Sequence, residues 1–161
     1  MARIISKSGE VILLDDENYG DFARFVWRVR FDPKNGLPYA YRLVSIKGRP
    51  RRWFMHRAVL GIRPGDPQEV DHREVWETLD NRKENLRLAT RSQNNANRRL
   101  FKNNTTGYRG VYLDKRTGRY EASIRFNGKL LRIGRFDSAG DAAEAYAVEK
   151  SRLFGEFARV E

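Results

Sequence analysis

Residues 119–128 constrain the fold more than any other stretch. Tyr120, Ala122, Ile124 and Phe126 alternate with Arg119, Glu121, Ser123 and Arg125, and Asn127-Gly128 follows at once. Strict period-two alternation reads as a half-buried strand. Asn-Gly is the strongest short hairpin signal, because both turn positions take positive φ. The flanking sequence completes a β-β-β-α pattern: a first strand over Tyr108–Leu113, a turn at Lys115–Gly118, and a third strand over Lys129–Phe136 with Leu131 and Ile133 inward and Arg132 outward. Ser138 with Asp141 three residues on is a capping box, and Gly155 stops the helix after about Phe154. The helix stripe expected to be buried is Ala142, Ala143, Tyr146, Ala147, Leu153 and Phe154, with the alanines allowing close approach to the sheet. The opposite sheet face is left open and basic.

The chain has 161 residues, of which 40% are hydrophobic and 12% aromatic. That excludes wholesale disorder and allows one domain or two small modules. There is no cysteine and there are only two histidines, which excludes disulfide scaffolds and the common Cys/His zinc sites. The longest apolar run near the start is Val11–Leu14, so neither a membrane span nor a signal peptide is expected. The net charge is +11. Residues 82–135 carry 15 basic and 3 acidic groups, whereas residues 1–81 carry 14 and 12. A contiguous basic third points to a polyanionic partner.

The N-terminal part reads as short strands around a small helix. Val11–Leu14 is a strand, and Asp15-Asp16-Glu17 begins a helix to about Phe25 with Phe22, Phe25 and Val26 on its buried face. Trp27–Phe31, Tyr39–Ile46 and Trp53–Met55 are further strands, with Lys47-Gly48-Arg49-Pro50 separating the last two. A short helix over His56–Leu60 ends at Gly61. Arg98–Thr106 reads as an extended basic linker, which makes 1–97 and 107–161 the two domains.

The chemistry-bearing motifs lie between. They are Met55-His56-Arg57, Val70-Asp71-His72, Leu79-Asp80-Asn81-Arg82, Glu84-Asn85-Leu86-Arg87 and Thr90-Arg91-Ser92-Gln93-Asn94. Residues 55–98 resemble the HNH endonuclease family, in particular its phage homing-endonuclease branch. The resemblance implies a ββα-metal fold within an α+β protein, with an N-terminal β-rich region. It implies that Asp71 and Asn94 ligate one divalent cation, for which oxygen ligands suit Mg²⁺ or Mn²⁺. It makes His72 the general base on water and Asn85 a catalytic-site residue that braces the His72 strand through backbone hydrogen bonds. His56 receives no assigned chemistry, and a structural histidine is an equal reading. Between His72 and Leu79 the family usually has a glycine-containing turn. Here Arg73-Glu74-Val75-Trp76-Glu77-Thr78 is one residue longer and has no glycine. Trp76 is either a DNA or partner contact or a packed loop residue.

Residues 107–158 resemble the plant ethylene-response-factor (Apetala-type) DNA-binding domain through Tyr108-Arg109-Gly110-Val111, Ala122-Ser123-Ile124-Arg125, Ile133-Gly134-Arg135-Phe136-Asp137 and Asp141–Tyr146. That family lays a three-stranded antiparallel sheet, packed on one helix, in the major groove. The resemblance makes Arg109, Arg125 and Arg132 DNA-contacting, and the basic linker separately offers Arg98, Arg99 and Lys102 as DNA-binding candidates. Tyr112 and Ser123 stand where plant domains read bases with arginine and glutamate, so the plant target is not carried over. The expected function is metal-dependent hydrolysis of double-stranded DNA at a site chosen by the C-terminal domain, in the cytoplasm of a bacterial or phage-infected cell. A DNA-binding transcriptional regulator with an inactive HNH part is the alternative. An RNA-binding protein is disfavoured, because the aromatics fall at core-phase positions. The oligomeric state is left open, with a monomer favoured.

Overall fold

Trp27 anchors the first half of the chain. Its ring is 1% exposed and stacks on Phe22 at 5.7 Å between centroids, and its indole N–H donates to the Phe22 carbonyl at 2.9 Å. The computed structural model describes residues 1–96, 100 and 104–158. Two units are resolved, Met1–Ala89 and Thr90–Glu161. The protein is mixed α and β, with small antiparallel sheets and four α-helices among the described residues. No helix of these residues is long and apolar enough to cross a membrane.

In the first unit, β1 (Ala2–Ile5) pairs antiparallel with β2 (Val11–Leu14). The apolar run Val11–Leu14 alternates in burial: Ile12 and Leu14 are fully buried and Val11 is exposed. Helix α1 (Asp16–Ala23) follows. Phe22 and Phe25 pack on the core as expected, but Val26 is exposed, because the chain turns at that point to bury Trp27 instead. Strands β3 (Arg28–Phe31), β4 (Pro38–Ile46) and β5 (Arg49–Phe54) form a meander with β4 central.

Strand β5 begins four residues before the expected Trp53. Lys47 and Gly48 both take positive φ, at 49° and 73°, so two residues suffice for the hairpin turn. Pro50 then sits on an edge strand, where its missing N–H costs no ladder bond. Helix α2 is a short turn over Met55–Val59. The core gathers Ile4, Ile12, Leu14, Trp27, Ala40 and Met55.

Strands β6 (Glu69–His72) and β7 (Leu86–Ala89) make the last hairpin of the unit, with Asp71 opposite Arg87 and His72 opposite Leu86. Their long connection is tied back to β2. The Leu13 N–H donates to Leu79 O at 3.0 Å, and the Asn81 N–H donates to Leu13 O at 2.9 Å.

The second unit opens with helix α3 (Arg91–Ala96). Thr90 and Gln93 cap it reciprocally: the Thr90 N–H donates to Gln93 Oε1 at 2.8 Å and the Gln93 N–H to Thr90 Oγ1 at 3.2 Å. Strands β8 (Val111–Asp114), β9 (Arg119–Phe126) and β10 (Lys129–Phe136) form an antiparallel sheet with β9 central, and α4 (Ala139–Phe154) packs on one face. Asn127 and Gly128 take φ of 47° and 82°, the turn expected from their sequence. The Asp141 N–H donates to Ser138 Oγ at 3.1 Å at the helix start. Val111, Ala122 and Ala142 are the centre of this core. Ala147 is exposed rather than buried, because the stripe runs through Ala142, Tyr146 and Lys150 and leaves it past the edge. At Gly110, with φ of 68°, a β-carbon would overlap the Tyr146 ring. The absence of a side chain is what lets this strand approach the helix.

Candidate active site

The β6–β7 hairpin carries Asp71 and His72, both about 95% buried. The register sets Arg87 across from Asp71, and the Arg87 side chain donates from Nε and Nη2 to Asp71 Oδ2 at 3.0 and 2.9 Å. Both partners of this ion pair are 7% exposed. The guanidinium gives the buried carboxylate two charge-assisted hydrogen bonds. Opposite charges facing each other across an antiparallel ladder are a readable signal, but only once the hairpin register is known.

His72 sits under an aromatic cover. The Tyr39 and His56 rings lie 6.1 and 5.1 Å from it, centroid to centroid. Burial lowers the His72 imidazole to about 4, while the Asn81 side chain and the Asp80 carboxylate pull the other way. Burial also holds His56 well below the ordinary histidine value, with the neighbouring His72 and Arg57 adding to it. Both imidazoles are therefore neutral at pH 7, the form that accepts a proton. His56, given no chemistry by the sequence, is the neighbour of His72. The Met55-His56-Arg57 motif was the signal. His56 also lines a cavity of about 220 Å³ with Arg30, Asp32, Tyr39 and Phe54. By register Arg28, Arg30 and Arg52 share the sheet face that carries Tyr39, Tyr41 and Phe54.

The connection 73–85 is two successive turns held by one amide. Asn85 Oδ1 accepts from the Glu74 N–H at 2.9 Å, and its Nδ2 donates to Asp80 O at 3.0 Å and Glu77 O at 3.3 Å. The Arg73 N–H returns to Asn85 O at 2.8 Å, directly after His72. Turn bonds from Glu77 N–H to Glu74 O and from Asp80 N–H to Glu77 O close the stretch without a glycine. Burial would raise the Asp80 carboxyl, but Arg82, donating to it from Nε, Nη2 and backbone N–H, holds it below the usual carboxylate value. Asn81 is 1% exposed, and Trp76 at the loop tip is 55% exposed.

Asn94 lies on α3 of the second unit, half-buried, its N–H donating to Thr90 O at 2.9 Å. Arg125 and Arg132 are exposed on the sheet face away from α4, and Arg125 Nη1 donates to Gly128 O at 2.9 Å. Arg109 is half-buried just before β8. Arg98, Arg99 and Lys102 lie outside the described residues. No group of three or more His, Cys, Asp or Glu side chains able to hold a metal ion occurs among the described residues.

No family model and no solved structure matches the chain. One curated protein does. An uncharacterized HNH endonuclease of Acanthamoeba polyphaga mimivirus is 32% identical over 127 residues, which make up 78% of this chain. The chain spans 62% of that protein's length. Over most of its own length, then, this chain is similar to a protein described as an HNH endonuclease.

Proposed function

We propose that the chain is a metal-dependent DNA endonuclease of the HNH type, with residues 1–97 as the nuclease domain and 107–161 as the part that selects the site. The observation that carries this reading is His72. It is buried at the end of a strand, neutral at neutral pH, adjacent to the buried Asp71 and followed by a loop that Asn85 holds. The 32% identity to a protein described as an HNH endonuclease adds to it.

In this reading Asp71 and Asn94 would hold the cation, a carboxylate and an amide oxygen being the donor types Mg²⁺ or Mn²⁺ takes, and Arg87 would have to yield Asp71 Oδ2 to it. When bound, such a cation supplies charge stabilisation at the phosphate and at the leaving 3′ oxygen. The neutral imidazole of His72 takes a proton from the water that attacks phosphorus, and the 3′ oxygen departs. Asn85 contributes by fixing the backbone that follows His72. The cavity beside His56 carries both Arg30 and Asp32 on its wall, and Arg30 is the group there that would meet a phosphate. Residues 107–158, whose sequence resembles the Apetala-type domain, fold in the order β-β-β-α, and Arg109, Arg125 and Arg132, together with the linker residues Arg98, Arg99 and Lys102, supply the duplex contacts in this reading.

Nicking of supercoiled plasmid with and without Mg²⁺ or Mn²⁺ tests the reading. His72→Ala removes nicking and leaves DNA affinity nearly unchanged. Full nicking by purified His72→Ala overturns it. The Asp71–Arg87 pair favours one other reading, a DNA-binding regulator whose nuclease part is only structural, because the guanidinium already occupies the carboxylate. Wild type that binds duplex DNA but nicks with neither metal decides for that reading.

A further inference from the structure

On the outer face of the β8–β9–β10 sheet, one row of side chains spans all three strands. Tyr112 of β8 is registered opposite Glu121 of β9, and Glu121 is registered opposite Arg135 of β10. The Tyr112 hydroxyl donates to Glu121 Oε2 at 2.7 Å, and Arg135 Nε donates to Glu121 Oε1 at 2.7 Å. Each carboxylate oxygen thus holds one partner. The Glu121 side chain is only 14% exposed, whereas the Arg135 side chain is 51% exposed. The carboxylate lies beneath its two partners, and the guanidinium is the part offered to solvent.

An ordinary surface ion pair has no need of such an arrangement, and it is worth little. On a face meant for a polyanion, a carboxylate also opposes binding. Its use is geometric. A guanidinium has five N–H donors in a planar fork, and here only Nε is engaged by a side chain. The two terminal amino groups keep the paired donors that match guanine O6 and N7. A side chain already fixed by a carboxylate gives up less freedom when it meets a base. Arg132, opposite Ser123 and two residues along β9 from this row, extends the same face.

We propose that Tyr112, Glu121 and Arg135 form a braced base-reading row, in which Arg135 reads a guanine edge in the major groove and Glu121 and Tyr112 hold its orientation. The inference rests on the reading of the second unit as a duplex-DNA binder and assigns part of its specificity to residues outside the arginines named above.

The test is selection of bound duplexes from a random pool by the full chain. It compares wild type, Arg135→Lys and Glu121→Gln, with affinity for an arbitrary duplex measured against salt. Arg135→Lys keeps the charge, so the salt slope stays the same. Preference for guanine at one position falls by about 5- to 150-fold, the range a bidentate base contact supplies. Glu121→Gln binds arbitrary duplex more tightly, having lost a negative charge, yet relaxes the same position. Motifs identical among all three proteins overturn the proposal and leave the row a surface ion pair. A weakening by Arg135→Lys that is even across all sequences also overturns it, making Arg135 a phosphate contact. Wild type that selects no motif overturns the reading of the second unit as the site selector, and this proposal with it.

Discussion

The two buried imidazoles make the first unit acid-sensitive, and the size of the effect follows from the structure. His72 has an ordinary pKa near 6.5 in the unfolded chain and about 4 in the folded one. Its folded value is depressed, so the unfolded chain takes up the proton first. The stabilisation is present above pH ~6.5 and is lost as pH falls towards about 4. Linkage over that gap gives a loss of about 2 kcal/mol at pH 5 relative to pH 8, for His72 alone. His56 is displaced in the same direction and adds to it. The assay is convenient, because Trp27, Trp53 and Trp76, the three tryptophans, all lie in the first unit. Urea unfolding followed by tryptophan fluorescence at pH 8, 6.5 and 5 therefore reads this unit within the full chain. The midpoint should hold between pH 8 and 7 and then fall steadily. Proton NMR of the ring signals checks the cause directly, since His56 and His72 are the two histidines of the chain. Both imidazoles titrating near pH 6.5, or equal stability at pH 8 and pH 5, would refute the reasoning.

Three further outcomes are expected. Arg87→Leu removes the guanidinium from the buried Asp71 carboxylate and should destabilise the first unit by about 3–5 kcal/mol, read as a shift of the same fluorescence transition; a loss below about 1 kcal/mol would mean that the pair is solvated. Gly110→Ala places a methyl against the Tyr146 ring, 2.7 Å from Ser123 O and at positive φ, and should cost the second unit at least about 3 kcal/mol in thermal unfolding. Duplex affinity should fall steeply with salt, with a log–log slope of about −5 to −9 if ~6–10 phosphates are contacted by the basic stretch 82–135; a slope shallower than about −2 would turn that stretch away from DNA.

The second unit was the more legible part of the sequence. Its strands β9 and β10, the Asn127-Gly128 turn, the Ser138 cap and the Gly155 stop all rest on local rules, and all lie where those rules put them. The first unit was harder because its strands are short and its contacts distant. Strand β1 has only four residues and is defined by pairing with β2 rather than by its own pattern. Lys47 in a positive-φ turn is unusual for its residue type, so local rules point to a longer turn than the one present. At the candidate site, the Asp71-His72 pair and Asn85 were readable as motifs. The Asp71–Arg87 pair, the His56–His72 contact and the Tyr39 cover were not, because each joins residues that only the tertiary register brings together.

The tie between Leu13 and the segment 79–81 has a kinetic meaning. The loop that follows His72 is closed at its near end by Asn85, but its far side is laid along β2, more than sixty residues earlier in the chain. Lys83 adds to this seam, its N–H donating to Asp15 Oδ2 at 2.8 Å and its Nζ to Glu17 Oε1 at 2.5 Å. Contacts of such sequence separation form late, because loop closure must come first. The β1–β2 hairpin, local in its own contacts, can form ahead of this seam and offer the edge against which the chemistry-bearing loop is later moulded. Lesions in the first fourteen residues should accordingly show as slow or incomplete maturation of the site around His72.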